Sequence, residues 1–439
     1  MKRIFKFKLR TVNNIFAVVA IAIMAPQAPL AAEPVHSVVI RVGRMLDVRS
    51  GTYVNDAAIV VDGDRITAVG SAADVMKTVP DGAKVVDLGD ATALPGLIDC
   101  HTHIMARVPD QEQGYGINLL TKSQAFRALE GAANARATLE AGFTTVRDVE
   151  NEGSVYADVA LRDAINQGLV EGPRMRVATR GIAAVGEYFP FGISPDLAGF
   201  PTGAQMISGV EEARRAVREQ IGHGADLIKV YADWQNPTLT IAEMQVIVEE
   251  AHKAKRKVAA HATTSEGIRN AIAAGVDSIE HGHRADRGAL DMMKANGVYL
   301  VPTLSVVDAM VAKAPNDWTS ARSKAFLESM GRSVAMAKEI GVKIADGSDP
   351  ASADRHGKNA EELAAMTRRG LSTLEAIRAA TLSAADLIGW PDDVGAIEKG
   401  RFGDVIAVQG DPIADITVLQ NVKFVMKGGR VIKNELAAH

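Results

Sequence analysis

The sequence predicts an α/β protein, a (β/α)8 TIM-like barrel with a small β-sandwich domain built from both flanks of the chain. Short β-type runs bounded by turn signals occupy both ends, at 36–95 and 403–432. Between the ends, strand-like runs alternate with helical runs, which is typical of parallel strands joined by crossover helices. The 439 residues, 47% of them hydrophobic, provide for a barrel of about 250 residues and a second unit.

The first 32 residues have the composition of a secretory signal peptide. An apolar stretch at 15–25 follows a basic start, and Leu30-Ala31-Ala32 provides a small-residue cleavage site. The stretch is short for a membrane span of about 20 residues. We therefore expect an exported protein, periplasmic or secreted, with no stable membrane anchor once the signal is removed. The basic residues are Lys2, Arg3, Lys6, Lys8 and Arg10.

The charge argues against a nucleic-acid partner, and the cysteine content excludes an intrachain disulfide. Removal of the five basic residues of the signal, with no acidic residue lost, takes the formal charge from −4 to −9. Such a chain is a poor nucleic-acid partner, because phosphate binding needs a basic face. Cys100 is the only cysteine, so an intrachain disulfide is impossible. Strand alternation turns Cys100 away from His101, which indicates a packing role rather than a catalytic one.

The flanks and the middle divide the mature chain into three segments. Residues 33–95 form the first part of the predicted sandwich, 96–389 the barrel and 390–439 the second part. Strands are expected in the flanks at 38–42, 57–61, 66–69, 85–88, 403–408, 422–426 and 431–432.

Eight strand-like runs fall in the predicted barrel. The first ends at His101, and the others are 144–149, 175–178, 227–231, 258–261, 278–281, 298–303 and 343–346. Helical patterns at 210–221, 241–255 and 360–369 separate some of them. Closure into a barrel is the favoured arrangement, and an open doubly wound sheet is the alternative.

An irregular segment follows the third predicted strand. Residues 187–203 collect aromatic side chains among Gly and Pro in a chain with only 5% aromatic residues. One hypothesis is that this segment lines a pocket for an apolar or aromatic group. The alternative is a surface loop packed on itself.

Potential metal ligands stand at the ends of five predicted strands. Because alternate residues of a strand share a face, His101 and His103 point to one spot. Active sites of barrels lie at the carboxyl edge of the strands, where these residues should converge. An isolated H-x-H pair is a weak signal, and His261 could be a hydrogen-bonded core histidine. The six residues are His101, His103, Lys229, His261, His281 and Asp349.

Lys229 is the most unusual of the six residues. A lone ammonium group buried in a barrel strand is very costly, so this lysine needs a partner or a modification. Carboxylation by carbon dioxide would turn the amine into an anion with two oxygens able to bridge two metals. Two divalent ions could then hold a bridging water, lower its pKa and polarise a carbonyl oxygen. Asp349 could bind one metal and take the proton from the attacking water.

With these motifs the chain resembles the amidohydrolase superfamily over nearly all of the mature sequence. The resemblance implies that His101, His103 and Asp349 bind one metal, that His261 and His281 bind the other, and that carboxylated Lys229 bridges them. Zinc is the expected metal, although the ligands also suit manganese, cobalt or iron. The matching motifs are Leu94-Pro95-Gly96-Leu97-Ile98-Asp99-Cys100-His101-Thr102-His103, Ile228-Lys229-Val230-Tyr231, Ala260-His261-Ala262, Ile279-Glu280-His281-Gly282 and Gly347-Ser348-Asp349.

Within the superfamily the chain is similar to Xaa-Pro dipeptidases, carboxypeptidase-type enzymes and ochratoxin-hydrolysing amidases. This resemblance implies that Tyr231 contacts a free carboxylate of the substrate, with a barrel-filling role as the alternative. His283, His356 and Asn359 are further candidate substrate contacts, each with a structural alternative. Many relatives carry Gly-Gly-His after strand three, where this chain reads Val185-Gly186-Glu187-Tyr188.

These observations predict a binuclear metal-dependent amidohydrolase that cleaves an amide bond next to a C-terminal amino acid. Xaa-Pro dipeptides, N-acyl amino acids and ochratoxin-like amides are the expected small-molecule substrates, and relatives commonly form homo-oligomers. A cyclic-amide hydrolase or deaminase similar to imidazolonepropionase is the alternative within the superfamily. A non-catalytic solute-binding protein on the same fold is the alternative outside it. The sequence has no G-x-S-x-G motif of a serine hydrolase.

Overall fold

Strands occupy both ends of the chain, and strands alternate with helices between them. The computed structural model describes residues 37–79, 81–107, 114–188, 202–234, 236–313 and 321–436. The predicted signal peptide lies outside these residues. The strands are β1 (Val38–Asp47), β2 (Thr52–Asp62), β3 (Arg65–Ser71), β4 (Lys84–Asp87), β5 (Thr92–Pro95), β6 (Leu97–Thr102), β7 (Phe143–Asp148), β8 (Arg174–Val177), β9 (Gly181–Ala184), β10 (Ala204–Ile207), β11 (Leu227–Tyr231), β12 (Lys257–Ala262), β13 (Ser278–His281), β14 (Tyr299–Val301), β15 (Val405–Val408), β16 (Phe424–Lys427) and β17 (Arg430–Asn434).

Most helices lie between the parallel strands. Several begin at residues whose side chains accept a backbone N–H, as Thr240 and Ser372 do in capping boxes. The helices are α1 (Ala72–Val75), α2 (Gly114–Thr121), α3 (Gln124–Glu140), α4 (Ala157–Asn166), α5 (Val210–Gly222), α6 (Ile241–Lys253), α7 (Ser265–Ala274), α8 (Arg287–Asn296), α9 (Leu304–Lys313), α10 (Ala321–Ile340), α11 (Glu361–Arg368), α12 (Thr373–Arg378) and α13 (Ala384–Ile388).

The two flanks of the chain form one eight-stranded sheet. Its order is β17-β16-β15-β5-β1-β2-β3, and β4 pairs with β1. The N-terminal and C-terminal flanks meet where β5 pairs antiparallel with β15, with Leu94 opposite Ile406. Alternation places Ile406 in a core shared with the middle of the chain and Ala407 in the core of the flank sheet. The flanks are thus joined as predicted, but in a single sheet, and the sandwich stays a prediction.

The middle of the chain supplies parallel strands in two sheets rather than one closed sheet. One has the order β6-β7-β8 and the other β10-β9-β11-β12-β13-β14. Every residue of β6, β7 and β11 is buried, so these strands have helices or other strands on both faces. The α/β class is confirmed.

The structure differs from the predicted strands at two places. The eighth run, 343–346, is a single bridge between Ile344 and Leu300, held by backbone hydrogen bonds of 2.8 and 3.0 Å. Strands β9 and β10, which flank the aromatic segment at 187–203, were not predicted.

The two predicted domain boundaries at either end of the barrel region fall among the described residues. The boundary at 95/96 falls between β5 and β6, and the boundary at 389/390 falls just after α13. The division into domains itself stays a prediction. Within the described ranges, no helix has both the length and the apolar character needed to cross a bilayer.

Candidate metal centre and active site

All six candidate ligands reach one cavity at the carboxyl ends of the parallel strands. The cavity has a volume of about 700 Å³. Strands β6, β11, β12 and β13 carry His101, Lys229, His261 and His281 at or near their last residues. His101 and Lys229 are each 1% exposed. The topology therefore brings together side chains that lie up to 248 positions apart, from His101 to Asp349.

Three of these residues form a compact group of ligand atoms. His101, His281 and Asp349 each offer one ligand atom, and these atoms all lie within 4.8 Å of one another. The Nε2 atom of His103 lies 3.3 Å from Oδ1 of Asp349. Imidazole nitrogens with a carboxylate oxygen suit zinc and other divalent transition metals.

His261 lies next to His281 and extends the group. Their ring centroids are 4.5 Å apart. The Nε2 atom of His261 is buried and has no hydrogen-bond partner among the described residues. A buried polar atom without a partner is costly, and a metal ion would satisfy it. The donor set therefore fits a metal site that includes His261.

The backbone holds two of the candidate ligands in the left-handed region. The φ angle of His281 is 72° and that of Asp349 is 53°. Such angles are uncommon for residues other than glycine and persist only where the surroundings fix them. The amide of Asp349 donates to the carbonyl of His101 at 2.8 Å. Gly347 allows this approach, because a Cβ there would lie 2.4 Å from Val301 and 2.7 Å from Cβ of His101.

A buried charge network positions His101. Its Nδ1 atom lies 2.7 Å from Oε2 of Glu280. The other oxygen of Glu280 accepts hydrogen bonds from Arg147 at 2.7 Å and from Ser278 at 2.5 Å. Burial would raise the pKa of Glu280, but Arg147 and His101 together hold it below its usual range. The carboxylate of Glu280 is thus charged. Because it engages Nδ1 of His101, the Nε2 atom of that ring is available to a metal in the cavity.

Neighbouring side chains also contact the imidazoles of His103 and His281. The Nδ1 atom of His103 lies 2.8 Å from Oε1 of Glu152, and Nδ1 of His281 lies 2.7 Å from Oγ1 of Thr303. The hydrogen bond to Thr303 fixes the orientation of the His281 ring and presents its other nitrogen to a metal. The contact of His103 with Glu152 is an ion-pair contact without hydrogen-bond geometry. None of these supporting residues was identified from the sequence.

Lys229 lies on the cavity wall without a counter-ion in contact. Its Nζ atom is 5.5 Å from the ring centroid of Tyr231, and no hydrogen bond or ion pair from Nζ occurs in the part of the chain that is described. Burial lowers the pKa of this lysine. A neutral, buried amine is the form of lysine that reacts with electrophiles.

Comparison with known proteins identifies the family. The sequence pattern of the amidohydrolase family matches residues 92–432. The chain belongs to the amidohydrolase family. It is 34% identical to an ochratoxinase from Aspergillus niger over 419 residues, covering 87% of this chain and 84% of the relative.

Solved structures agree with this assignment. A Xaa-Pro dipeptidase with bound methionine superimposes with a TM-score of 0.80 at 34% identity, covering 90% of this chain and 99% of the other. A prolidase complexed with N-methylphosphonate-L-proline gives a TM-score of 0.80 at 30% identity, with coverages of 91% and 100%. This amidohydrolase is therefore a hydrolase of amide C–N bonds, in a family that is generally metal-dependent.

Tyr231 lines the cavity of the amidohydrolase, but its hydroxyl is already engaged. It donates a hydrogen bond to Glu150, which also accepts from the hydroxyl of Tyr188 at 2.7 Å. Glu150 is fully buried, and burial together with the charge of Glu152 raises its pKa to about 7. Gly181 makes room for this contact, because a Cβ there would lie 2.6 Å from the ring of Tyr231.

Aromatic side chains form one wall of the cavity. The rings of Tyr231 and Trp234 stack at 5.0 Å with an interplanar angle of 16°, and Trp234 lies 4.5 Å from the ring of His261. Tyr188 and Met310 add further apolar surface. Of the segment 187–203, Glu187 and Tyr188 line the cavity, and residues 189–201 lie outside the described part. The pocket hypothesis for this segment thus has support at its first two residues.

Asn359 does not line the cavity. Its Nδ2 atom donates to Asp99 at 2.8 Å and to Ser348 at 3.1 Å. Asp99 also accepts from the hydroxyl of Ser348 at 2.5 Å and from the amide of His101 at 3.0 Å. Asn359 therefore joins the first strand of the barrel region to the segment before Asp349. Its role as a substrate contact stays a prediction without support from this geometry.

His283 and His356 are also absent from the cavity lining. His356 contacts the carbonyl of Ala106 through Nε2 at 2.8 Å, and burial lowers its pKa to about 4. The ring of His283 lies 5.4 Å from that of His281 and 5.5 Å from that of Phe326. Burial also lowers the pKa of His283 to about 4. Both imidazoles are neutral and lie outside the cavity lining, so their substrate roles stay predictions.

The remaining expectation concerns Cys100. It is completely buried in an apolar cluster with Ile98 and Val301, and its Sγ atom contacts the carbonyl of Ala384 at 3.8 Å. Burial raises the pKa of the thiol, so it stays protonated. These contacts agree with a packing role.

Proposed function

We propose that this amidohydrolase is binuclear and cleaves an amide bond next to a C-terminal amino acid. The observation that carries the proposal is the convergence of six candidate ligands on one cavity, with the buried amine of Lys229 lacking a counter-ion among the described residues. A binuclear site needs an anionic bridge, and carboxylated Lys229 would supply it. We assign His101, His103 and Asp349 to one metal, and His261 and His281 to the other. Zinc is the first expectation.

Two divalent ions, when bound, would supply Lewis acidity and a water of lowered pKa. The protein's own residues set the geometry around that chemistry. Glu280 and Thr303 hold the imidazoles of His101 and His281 in fixed orientations, and Glu152 places a carboxylate 2.8 Å from Nδ1 of His103. The histidines beside Asp349 keep its pKa below its usual range against the effect of burial. Asp349 is therefore ionised and able to accept the proton of the attacking water and deliver it to the leaving amine.

A metal and substrate panel tests this proposal. Removal of metal with a chelator should abolish hydrolysis of Xaa-Pro dipeptides and N-acyl amino acids, and added zinc should restore it. Efficient deamination or cyclic-amide hydrolysis with dipeptides untouched would favour the imidazolonepropionase-like alternative. Metal-loaded protein that hydrolyses no amide of the panel would favour the solute-binding alternative.

The carboxylated lysine is tested separately. Protein equilibrated with ¹³C-labelled bicarbonate should show a carbamate carbon resonance that is lost in Lys229→Met. The same variant should retain less metal per chain than the wild type, because the bridge between the two sites is gone. A carbamate signal of equal intensity in Lys229→Met would contradict the assignment.

Tyr231 is the residue proposed to bind the free carboxylate of the substrate. Tyr231 lines the cavity, but its hydroxyl donates to Glu150. If the substrate carboxylate displaces Glu150 from the hydroxyl of Tyr231, Tyr231→Phe should slow the hydrolysis of free-carboxylate substrates more than that of C-terminally amidated substrates. Equal losses on both substrate types would assign Tyr231 to the wall of the cavity rather than to carboxylate binding.

We also propose that the parallel strands close into a (β/α)8 barrel. Two single hydrogen bonds of 2.8 Å support closure: the amide of Asp226 donates to the carbonyl of Val177, and the amide of Cys100 donates to the carbonyl of Asp346. The first joins β8 to β11, and the second joins β6 to the eighth run. Slow hydrogen exchange at the amide of Cys100, comparable with the middle of β12, is expected for a closed barrel.

Export and assembly are the remaining parts of the proposal. N-terminal sequencing of protein recovered from outside the cytoplasm should show a chain that begins close to residue 33. Sedimentation of that mature protein should give a homo-oligomer. A full-length, membrane-retained chain would overturn the signal-peptide assignment.

A further inference from the structure

A basic groove lies at the end of the parallel strands opposite to the metal ligands. Two adjoining cavities of about 550 and 120 Å³ share Arg176, Asp226 and Arg256 in their walls. Asp226 stands immediately before β11, and Arg256 immediately before β12. Arginine and lysine side chains outnumber carboxylates by more than two to one along these walls, in a chain whose net charge is −4.

The groove contains more positive charge than its acidic partners can neutralise. Arg162 donates to Asp226 at 2.7 Å, and Nη1 of Arg176 lies 3.6 Å from the same carboxylate. Asp226 also accepts the amide of Val177. Arg256 makes no ion pair in the described part of the chain, and its Nε atom donates to the carbonyl of Ala225. Arg162 also pairs with Asp163 at 2.9 Å, so two carboxylates stand against the three guanidinium groups.

Arg176 has a hydrogen-bond donor that no described residue satisfies. Its Nε atom is buried and has no hydrogen-bond partner in the described ranges, and its side chain is 25% exposed. The guanidinium lies over the ring of Trp390, 4.1 Å from the centroid, which fixes its plane. A pre-organised guanidinium with unused donors is suited to binding an oxyanion.

We propose that this groove binds a small oxyanion between Arg176 and Arg256. The concave shape of the groove and the low exposure of Arg162 and Arg176, 15% and 25%, suit a small molecule better than a flat macromolecular surface. Asp226 and Arg256 precede β11 and β12, so the proposed oxyanion would bind at the amino ends of these strands, away from the candidate metal ligands. Arg147, in the wall of the smaller cavity, also contacts Glu280 of the metal centre. In barrel enzymes the amino end of the strands serves stability rather than catalysis, so the anion would act as a bound structural ligand.

Calorimetric titration with inorganic phosphate at constant ionic strength tests the site in the metal-loaded enzyme. We expect one phosphate per chain, and at least about tenfold weaker binding for Arg176→Gln and for Arg256→Gln, because each loses charge-assisted hydrogen bonds. Amide hydrolysis without phosphate should be unchanged in both variants. Arg215→Gln is the matched control, since Arg215 is 66% exposed on α5 and outside the groove.

Three outcomes would overturn the proposal. One is the absence of phosphate binding above that of chloride. Another is unchanged phosphate affinity in a folded Arg256→Gln variant, which keeps the test decisive where Arg176→Gln fails to fold. The third is loss of binding in Asp349→Asn together with normal binding in both arginine variants, which would place the phosphate on the metal ions.

Discussion

Replacement of Glu280 by glutamine should destabilise the protein and weaken its metal site together. Glu280 is 0% exposed and accepts hydrogen bonds from Arg147 and Ser278 on one oxygen, while its other oxygen meets Nδ1 of His101. A glutamine has only one acceptor oxygen. Its NH₂ group would therefore face either the donors Arg147 and Ser278 or Nδ1 of His101. Arg147, 3% exposed, would also lose its counter-charge.

The magnitude follows from these contacts. Breaking a buried ion pair by removing one partner costs about 3–5 kcal/mol, because an uncompensated charge stays buried. Loss of the group that orients a metal-binding imidazole weakens metal affinity about 10–100-fold. We expect both effects in Glu280→Gln, the first from urea unfolding of metal-free protein and the second from competition with a chromogenic chelator.

Glu398→Gln is the matched control. Glu398 also accepts from two arginines, Arg49 at 2.5 Å and Arg401 at 2.7 Å, but its side chain is 39% exposed. A surface pair of this kind contributes about 1 kcal/mol or less. If Glu280→Gln cost no more unfolding free energy than Glu398→Gln and bound metal normally, the assignment of Glu280 as the support of His101 would be refuted.

Three further predictions concern other parts of the structure. Burial raises the pKa of Glu362 from 4.5 to about 7, so the protonated carboxyl favours the folded state and this stabilisation is lost as pH rises. Glu362→Gln lacks this titration, so the unfolding free energy of the wild type relative to Glu362→Gln, measured with urea, should fall by about 3 kcal/mol between pH 4.5 and pH 7. Trp234→Ala should raise KM for aromatic N-acyl substrates about tenfold with little change in kcat, because it removes the stacking wall. Asn359→Leu should lower the unfolding free energy by about 1–3 kcal/mol while KM is unchanged, since Asn359 supports Asp99; a raised KM with unaltered stability would restore its predicted substrate role.

The sequence could indicate that the candidate ligands converge on one cavity because four of them, His101, Lys229, His261 and His281, stand at or near the ends of regular strands. Strand alternation places His101 and His103 together, and topology alone brings His261 and His281 to the same edge. Strand alternation and strand order can therefore predict which residues meet at one edge without knowledge of side-chain packing. The α/β class follows from the same regularity, and the joining of the two flanks in one sheet agrees with their shared strand pattern.

The supporting residues could not be predicted in the same way. Glu280 and Arg147 are 133 positions apart, and their contact depends on how β7 and β13 face each other. One signal was present, because a Glu and an Arg both stand within otherwise buried strands, where a charge needs a partner. Strands β9 and β10 were missed because they are short and flank an irregular segment.

The pairing of β5 with β15 has a consequence for how the chain reaches its folded state. Thr92–Pro95 bonds to Val405–Val408, segments separated by more than 300 residues, and β15 also carries β16 on its other edge. A ribosome-bound chain therefore cannot complete its first sheet until almost the whole polypeptide has been made. Such long-range pairing slows folding, and a product cut short before residue 405 would expose the apolar edge of β5. Early termination should thus yield aggregates rather than a working fragment.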